Sequence, residues 1–430
     1  MTGKAPGARS APKAYVIGAG LAGLSAATIL ASRGVAVTIV EAAGQAGGRC
    51  RSYFDAAMDG IIDNGNHLVL SGNRAVHAYL ARIGVRDALA GPPRAEFAFM
   101  DLRDGRGWTL RPNEGNFPYW IMREKRRVPG TKPGDYLKYA PLLWADKKAA
   151  IGKVVADRGP LWERLMRPFL LAALNTEPEE SSAALAGAVL RETLAKGGRY
   201  YRPRIAHPTL AAAFVDPALD YLKSKGASVQ LSTRLRDLGF DGRLAMALNT
   251  TEATLPVASG DVVVMAVPPW SAADLIPGLT VPDEFRSIVN AHFKMAAPSG
   301  APSMLGVIGG TAEWIFTFHD RISVTVSGAD AIVDQDREDL AIRIWADVTK
   351  ALGITAAMPG CIPPWQIVKE KRATFAATPA QDARRPASQS QWRNLFLAGD
   401  WTQTGLPATI EGALRSGETA AALALKHLSL

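Results

Sequence analysis

The chain has 430 residues, 48% of them hydrophobic and 21% charged, a globular composition long enough for about two to three domains of roughly 100–200 residues. A formal charge of +9 favours anionic partners, but no arginine-rich tract or recognition-helix pattern is present, which sets nucleic acid aside. Two cysteines, Cys50 and Cys361, exclude a disulfide framework and a thiolate metal site. The histidines lack metal-ligand spacing, so no metal is expected. The first dozen residues lack the apolar core of a secretory signal. No apolar run reaches the roughly 18 residues of a spanning helix, so the expected location is cytoplasmic.

Ala14–Ile17 and Val35–Val40 are short strand patterns, separated by a small-residue helix over Leu21–Arg33 that Gly34 ends. This is a β-α-β unit at the start of the chain. From Arg94 to Tyr201 aromatic, basic and proline residues interleave, with helical periodicity over Leu161–Leu174 and Ala183–Leu194. Ser228–Ser232 and Asp261–Val267 are buried-strand patterns, and Met304–Val326 alternates like the strands of a second sheet. Leu395–Ala398 is a last strand, before a loop and a helix over about Thr409–His427. The prediction is an α/β fold with a Rossmann-like dinucleotide domain assembled from 13–93, 206–270 and 390–430. An interleaved α+β substrate domain takes 94–205 and 271–389.

Gly18-Ala19-Gly20-Leu21-Ala22-Gly23 is a G-x-G-x-x-G turn between a strand and a helix. Its glycines permit a tight turn, close approach to a pyrophosphate, and close helix–strand packing, and the helix N-terminus offers free amides to phosphate. Glu41 ends the second strand, 18 residues after Gly23, where a carboxylate accepts ribose hydroxyls.

Gly47-Gly48-Arg49 resembles the segment that marks the flavin amine oxidase and carotenoid desaturase superfamily, and that resemblance selects FAD over NAD. Arg49 then offers its guanidinium to the phosphates. At the other end, Gly399-Asp400 and the helix opening Pro407-Ala408-Thr409 resemble the second FAD motif of that superfamily. The resemblance implies that Asp400 bonds the ribityl chain and that the helix N-terminus faces the flavin ring. It also implies a backbone contact to adenine near Leu235, where leucine departs from the family's valine.

The segment Asp63-Asn64-Gly65-Asn66-His67 resembles the D-N-G-x-H segment of the hydroxysqualene dehydroxylases. The similarity runs on through Leu171–Ser182 and Gly197–Pro203 and covers nearly the whole chain. It implies reduction of hydroxysqualene, a long-chain isoprenoid alcohol, to squalene in hopanoid synthesis. The reaction needs an acid for the leaving hydroxyl, a dry chamber for an allylic cation, and hydride from reduced flavin. His67 is the first candidate for the acid; a positional hydrogen bond is its other reading. Trp120, Trp314, Phe316 and Phe318 are candidates to line the chamber, or simply core. The electron donor is expected to be separate, a diffusing reductant or a partner reductase. Basic and aromatic residues over Pro118–Lys148 suggest contact with an anionic membrane surface, or a solvated basic face. Two rivals share the scaffold: an oxidative desaturase or amine oxidase, for which a covalent flavin link at Cys361 is conceivable, and a non-catalytic prenyl-chain binder.

Overall fold

The computed structural model describes residues 12–355 and 362–430; Cys361 lies outside them. Strand Lys13–Ile17 leads through the glycine turn into helix Leu21–Ser32, and the chain returns along strand Ala36–Val40. These two strands are the centre of a five-stranded sheet in the order 228–230, 36–40, 13–17, 262–265, 395–397. All of its pairings are parallel. Val262–Met265 is buried at every position, as expected of a parallel sheet with both faces covered. Helix Leu21–Ser32 packs against the C-terminal helix Ile410–Leu428 so closely that a Cβ on Gly417 would lie 2.3 Å from the Ala22 carbonyl oxygen. The carboxyl ends of the strands and the starts of these two helices therefore share one edge of the sheet, the usual place for a dinucleotide.

The second sheet has seven strands in the order 365–375, 285–293, 322–326, 314–317, 304–308, 97–101, 106–110. The alternating stretch 304–326 is thus three strands of one antiparallel meander. Side chains alternate between the two faces of a strand, and the register assigns each face. Val289, Ala291, Val324, Ile315 and Leu305 point to one side, where Leu340, Ile344 and Val348 of helix Arg337–Leu352 close a hydrophobic layer. Cross-strand partners on the other face are His292, Ser323 and Phe316, and beside them Asn290, Thr325 and Trp314. That face is polar at one end and aromatic at the other.

The short helical segments between residues 119 and 192 pack on the aromatic end. The sequence-based reading of 118–148 needs a correction here. Trp120 and Tyr139 are 4% and 5% exposed; Trp120 meets Tyr136 edge to face at 5.3 Å, and Tyr139 stacks on Trp162. Without helical periodicity, burial of these rings could not be read from spacing. The exposed apolar side chains of this region are instead Phe117, Tyr119, Met122, Leu137 and Trp144.

The glycine turn yields a test of this packing. A Cβ on Gly23 would sit 2.0 Å from the Gly18 carbonyl oxygen, a backbone atom that cannot rotate away. Gly23→Ala is expected to cost at least the 1–3 kcal/mol typical of overpacking and to lower flavin occupancy, read from urea unfolding and from absorbance near 450 nm.

Candidate active site

The turn is built for a phosphate-bearing ligand. Gly20 caps helix Leu21–Ser32 with no side-chain hydrogen bond to the first amides, and a Cβ placed there would meet nothing within 4 Å. Uncapped amides facing open space are what a pyrophosphate needs. Glu41 holds the turn from the neighbouring strand: its Oε2 accepts from the Ala19 amide at 2.7 Å and its Oε1 from Ala43 at 2.8 Å. The Thr233 amide donates to the Glu41 carbonyl at 2.9 Å. Beside it lies a cavity of about 530 Å³ lined by Gln230, Ser232 and Thr233 among others. Leu235 itself begins the next strand and is buried.

Gly47 and Gly48 have φ of 108° and 56°, conformations that a side chain would strain. They fold the loop against the glycine turn, with Gly47 donating to the Ala19 carbonyl at 2.8 Å. Arg49 then reaches across the fold. Its Nη2 donates to Asp400 Oδ2 at 2.7 Å and its Nη1 to the Ala373 carbonyl of the second sheet at 2.5 Å. The Arg49 side chain is 43% exposed and that of Asp400 only 7%, so the pair buries the carboxylate and leaves guanidinium accessible to a ligand. Arg385, which the sequence did not flag, donates to the carbonyls of Asp400 and Thr402 at 3.1 and 2.9 Å and to the Thr404 hydroxyl. The Thr409 hydroxyl caps the last helix by accepting from Gly412 at 3.0 Å, two residues after Pro407. Glu411 is spent on structure, accepting from the Ala75 and Val76 amides and from Arg415.

The loop Asp63–His67 lies between the two sheets. Asp63 anchors it, accepting from Ser52 Oγ at 2.6 Å and the Leu210 amide at 2.9 Å. Three residues of the second sheet that carry no sequence signature fix the rest. Asn290 donates to the Asn64 carbonyl at 3.4 Å, and a Cβ on Gly65 would lie 2.9 Å from its Nδ2. Thr325 donates to Asn290 Oδ1 at 2.8 Å and accepts from Asn66 Nδ2 at 3.2 Å. Glu370 accepts from Asn64 Nδ2 at 3.4 Å. His67 is half-buried, and burial, with the nearby Arg49 charge, lowers its pKa to about 4 against the opposing pull of Asp400. Burial of this kind favours the neutral imidazole.

Trp120, Trp314 and Phe316 are all buried in one hydrophobic cluster with the substrate-side helices. Trp314 meets Phe99 edge to face at 5.7 Å, and the partly buried Phe318 packs against the same cluster. Two sequence segments that carried the resemblance prove structural. Asn175, with φ of 48°, bonds the Gly328 amide and the Thr374 hydroxyl, and Gly197-Gly198 press on Glu114–Gly115 and Asn113. No group of His, Cys, Asp and Glu suited to a metal ion occurs among the described residues.

His292, beneath the loop, is fully buried and bonds Ser323 at 2.8 Å. Burial, with Arg321 nearby, lowers its pKa to about 4 from 6.5. The unfolded imidazole thus binds its proton first as pH falls, so the stability linked to it is complete above about pH 6.5 and is lost as pH falls through about 4. Between pH 7 and pH 5 this group should cost the fold about 2 kcal/mol. Urea unfolding of His292→Gln should show a correspondingly smaller acid loss than the parent protein.

A model of the flavin-containing amine oxidoreductase family matches residues 21–425. A hydroxysqualene dehydroxylase from Rhodopseudomonas palustris is 53% identical over 412 residues, 96% of this chain and 98% of that one. One from Sinorhizobium fredii is 50% identical over 413 residues, again 96% and 98%. Among solved structures, cyclohexylamine oxidase from Brevibacterium oxydans shares the fold with a TM-score of 0.70 at 16% identity, covering 97% of this chain and 99% of its own. With the glycine turn, the Arg49–Asp400 pair and the Asp63–His67 loop in place, the chain belongs to the flavin-containing amine oxidoreductase family and, within it, to the hydroxysqualene dehydroxylases.

Proposed function

We propose that this chain is an FAD-dependent oxidoreductase that reduces hydroxysqualene to squalene, with the cofactor lying along the shared edge of the parallel sheet. The observation that carries the reading is near-complete similarity to dehydroxylases in a chain whose motifs at both ends converge through the Arg49–Asp400 pair. FAD, when bound, supplies the hydride that the allylic carbon receives. The amides from Gly20 to Gly23 receive the pyrophosphate, Glu41 the ribose, and Arg49 the phosphates with the guanidinium surface that Asp400 leaves free. Asp400, Pro407–Thr409 and the start of the last helix meet the flavin end, where helix polarity favours negative charge. Asn64, Gly65, Asn66 and His67 close that end from the loop between the two sheets, with His67 as a hydrogen-bonding partner. Trp314 and Phe316 continue the same sheet face as an apolar, water-excluding wall. Aromatic faces there would stabilise positive charge on the allylic carbon by roughly 0.5–2 kcal/mol.

Electrons reach the flavin from a separate reductant, since the Gly306–Gly310 stretch runs from strand Met304–Ile308 into a turn and not into a second dinucleotide-binding helix. The substrate partitions into lipid, and the segment 117–148 presents Phe117, Met122, Leu137 and Trp144, the last 79% exposed. They stand among exposed Arg123, Lys125, Lys132, Lys147 and Lys148. Apolar tips among cations suit an anionic bilayer surface. No described helix is long and apolar enough to cross a membrane, so the contact proposed is peripheral.

Two experiments test these readings. Protein reduced anaerobically with dithionite and mixed with hydroxysqualene should reoxidise its flavin and form one squalene per flavin; flavin that stays reduced beside intact alcohol contradicts the assignment. In vesicle sedimentation, the protein should bind phosphatidylglycerol-containing vesicles in preference to neutral ones. Trp144→Ser combined with Leu137→Ser should weaken that binding by about tenfold or more, given roughly 1.5–3 kcal/mol per buried large side chain. Equal binding to neutral vesicles rules the surface out.

A further inference from the structure

We propose that Asn64 and Glu370 form the hydroxyl-binding pair of the reaction: Asn64 Oδ1 accepts the hydrogen of the allylic hydroxyl, and the Glu370 carboxyl donates the proton with which its oxygen leaves. The proposal rests on the dehydroxylase reading above. Asn64 is 4% exposed. Its Nδ2 donates to Glu370 Oε2 at 3.4 Å, an oxygen that accepts whether or not the other carboxyl oxygen carries a proton. Its Oδ1 is buried and, among the described residues, without a hydrogen-bond partner. A buried acceptor left unmet is costly and calls for a donor from elsewhere; a substrate O–H is such a donor.

Glu370 is the carboxyl left for the acid role. The others at this junction are committed: Asp63 to Ser52 and Leu210, Asp400 to Arg49, and Glu411 to two amides and Arg415. Glu370 has a single long side-chain bond, from Asn64, among the described residues, and is half-buried. The strand carrying it is distorted at this point. Register shifts between Arg286 and Ile288, whose partners are Thr374 and Glu370, and Arg49 grips the Ala373 carbonyl inside that stretch. Bulges of this kind re-aim side chains beside active sites. Here the distortion joins Glu370 to the Arg49–Asp400 pair on one side and to the loop on the other.

The step balances. The allylic C–O bond breaks, and the oxygen departs as water with its own hydrogen and the Glu370 proton. The carbon gains a hydride and is reduced, the flavin is oxidised, and the Glu370 carboxylate takes up a proton from solvent before the next turnover. Removing a general acid typically costs 10²–10⁴ in rate.

The test uses the full-length, FAD-loaded enzyme. In anaerobic single turnover, Glu370→Gln should form squalene at least about 100-fold more slowly than the parent, with hydroxysqualene affinity within threefold, and Glu370→Asp should recover part of the rate. Affinities are read with oxidised enzyme from flavin absorbance changes. There the parent should prefer hydroxysqualene to squalene, and Asn64→Ala should abolish the preference. Glu370→Gln turnover within fivefold of the parent overturns the pair. So does an unchanged alcohol-over-squalene preference in Asn64→Ala, which decides the matter should Glu370→Gln lose flavin. A parent enzyme that makes no squalene would instead overturn the reading on which the pair rests.

Discussion

The Arg49–Asp400 ion pair is the constraint on which the rest of the site depends. It joins a loop near the start of the chain to the segment before the last helix, and through the Ala373 carbonyl it also holds the second sheet. Asp400 is nearly buried, and a buried carboxylate without a partner is strongly unfavourable. Burial disfavours the Arg49 charge, yet the attraction of Asp400 outweighs it and holds the guanidinium more firmly protonated than usual. Losing one partner of a buried pair costs about 3–5 kcal/mol, and the exposure of Arg49 places this pair below that range. Its larger consequence is geometric: three separated segments meet at one point, where the proposed function puts the flavin end of the cofactor.

The second sheet separates two unlike faces through simple alternation. One face is closed by helix Arg337–Leu352. The other divides into a polar end, with His292, Asn290, Ser323 and Thr325, and an aromatic end, with Trp314 and Phe316. An isoprenoid alcohol has the same division between its hydroxyl and its hydrocarbon. The Asp63–His67 loop lies over the polar end, so the proposed proton transfer and water-excluding wall would stand side by side on one rigid surface.

What was legible in the sequence follows the range of the interactions involved. The glycine turn is a local device whose spacing implies strand, turn and helix, and the structure has that strand–turn–helix order; Gly47-Gly48-Arg49 was legible only through the resemblance. Asn290, Thr325, Glu370 and Arg385 were not legible, because their roles arise from strand register and contacts more than 200 residues apart in several cases. The burial of Trp120 and Tyr139 within the basic and aromatic stretch was not legible either, because their ring partners Tyr136 and Trp162 are set by packing and not by spacing.

The central claim is that one chamber, between the Asp400 end of the parallel sheet and the polar end of the second sheet, holds flavin and alcohol together. Oxidised enzyme has no electrons to give, so hydroxysqualene remains intact in it. A crystal structure of that complex is the most direct measurement. The account predicts the flavin ring between Asp400 and the Asp63–His67 loop, with the hydrocarbon running along Phe316 and Trp314. An alcohol bound away from that loop, or a flavin ring out of reach of both sheets, would contradict it.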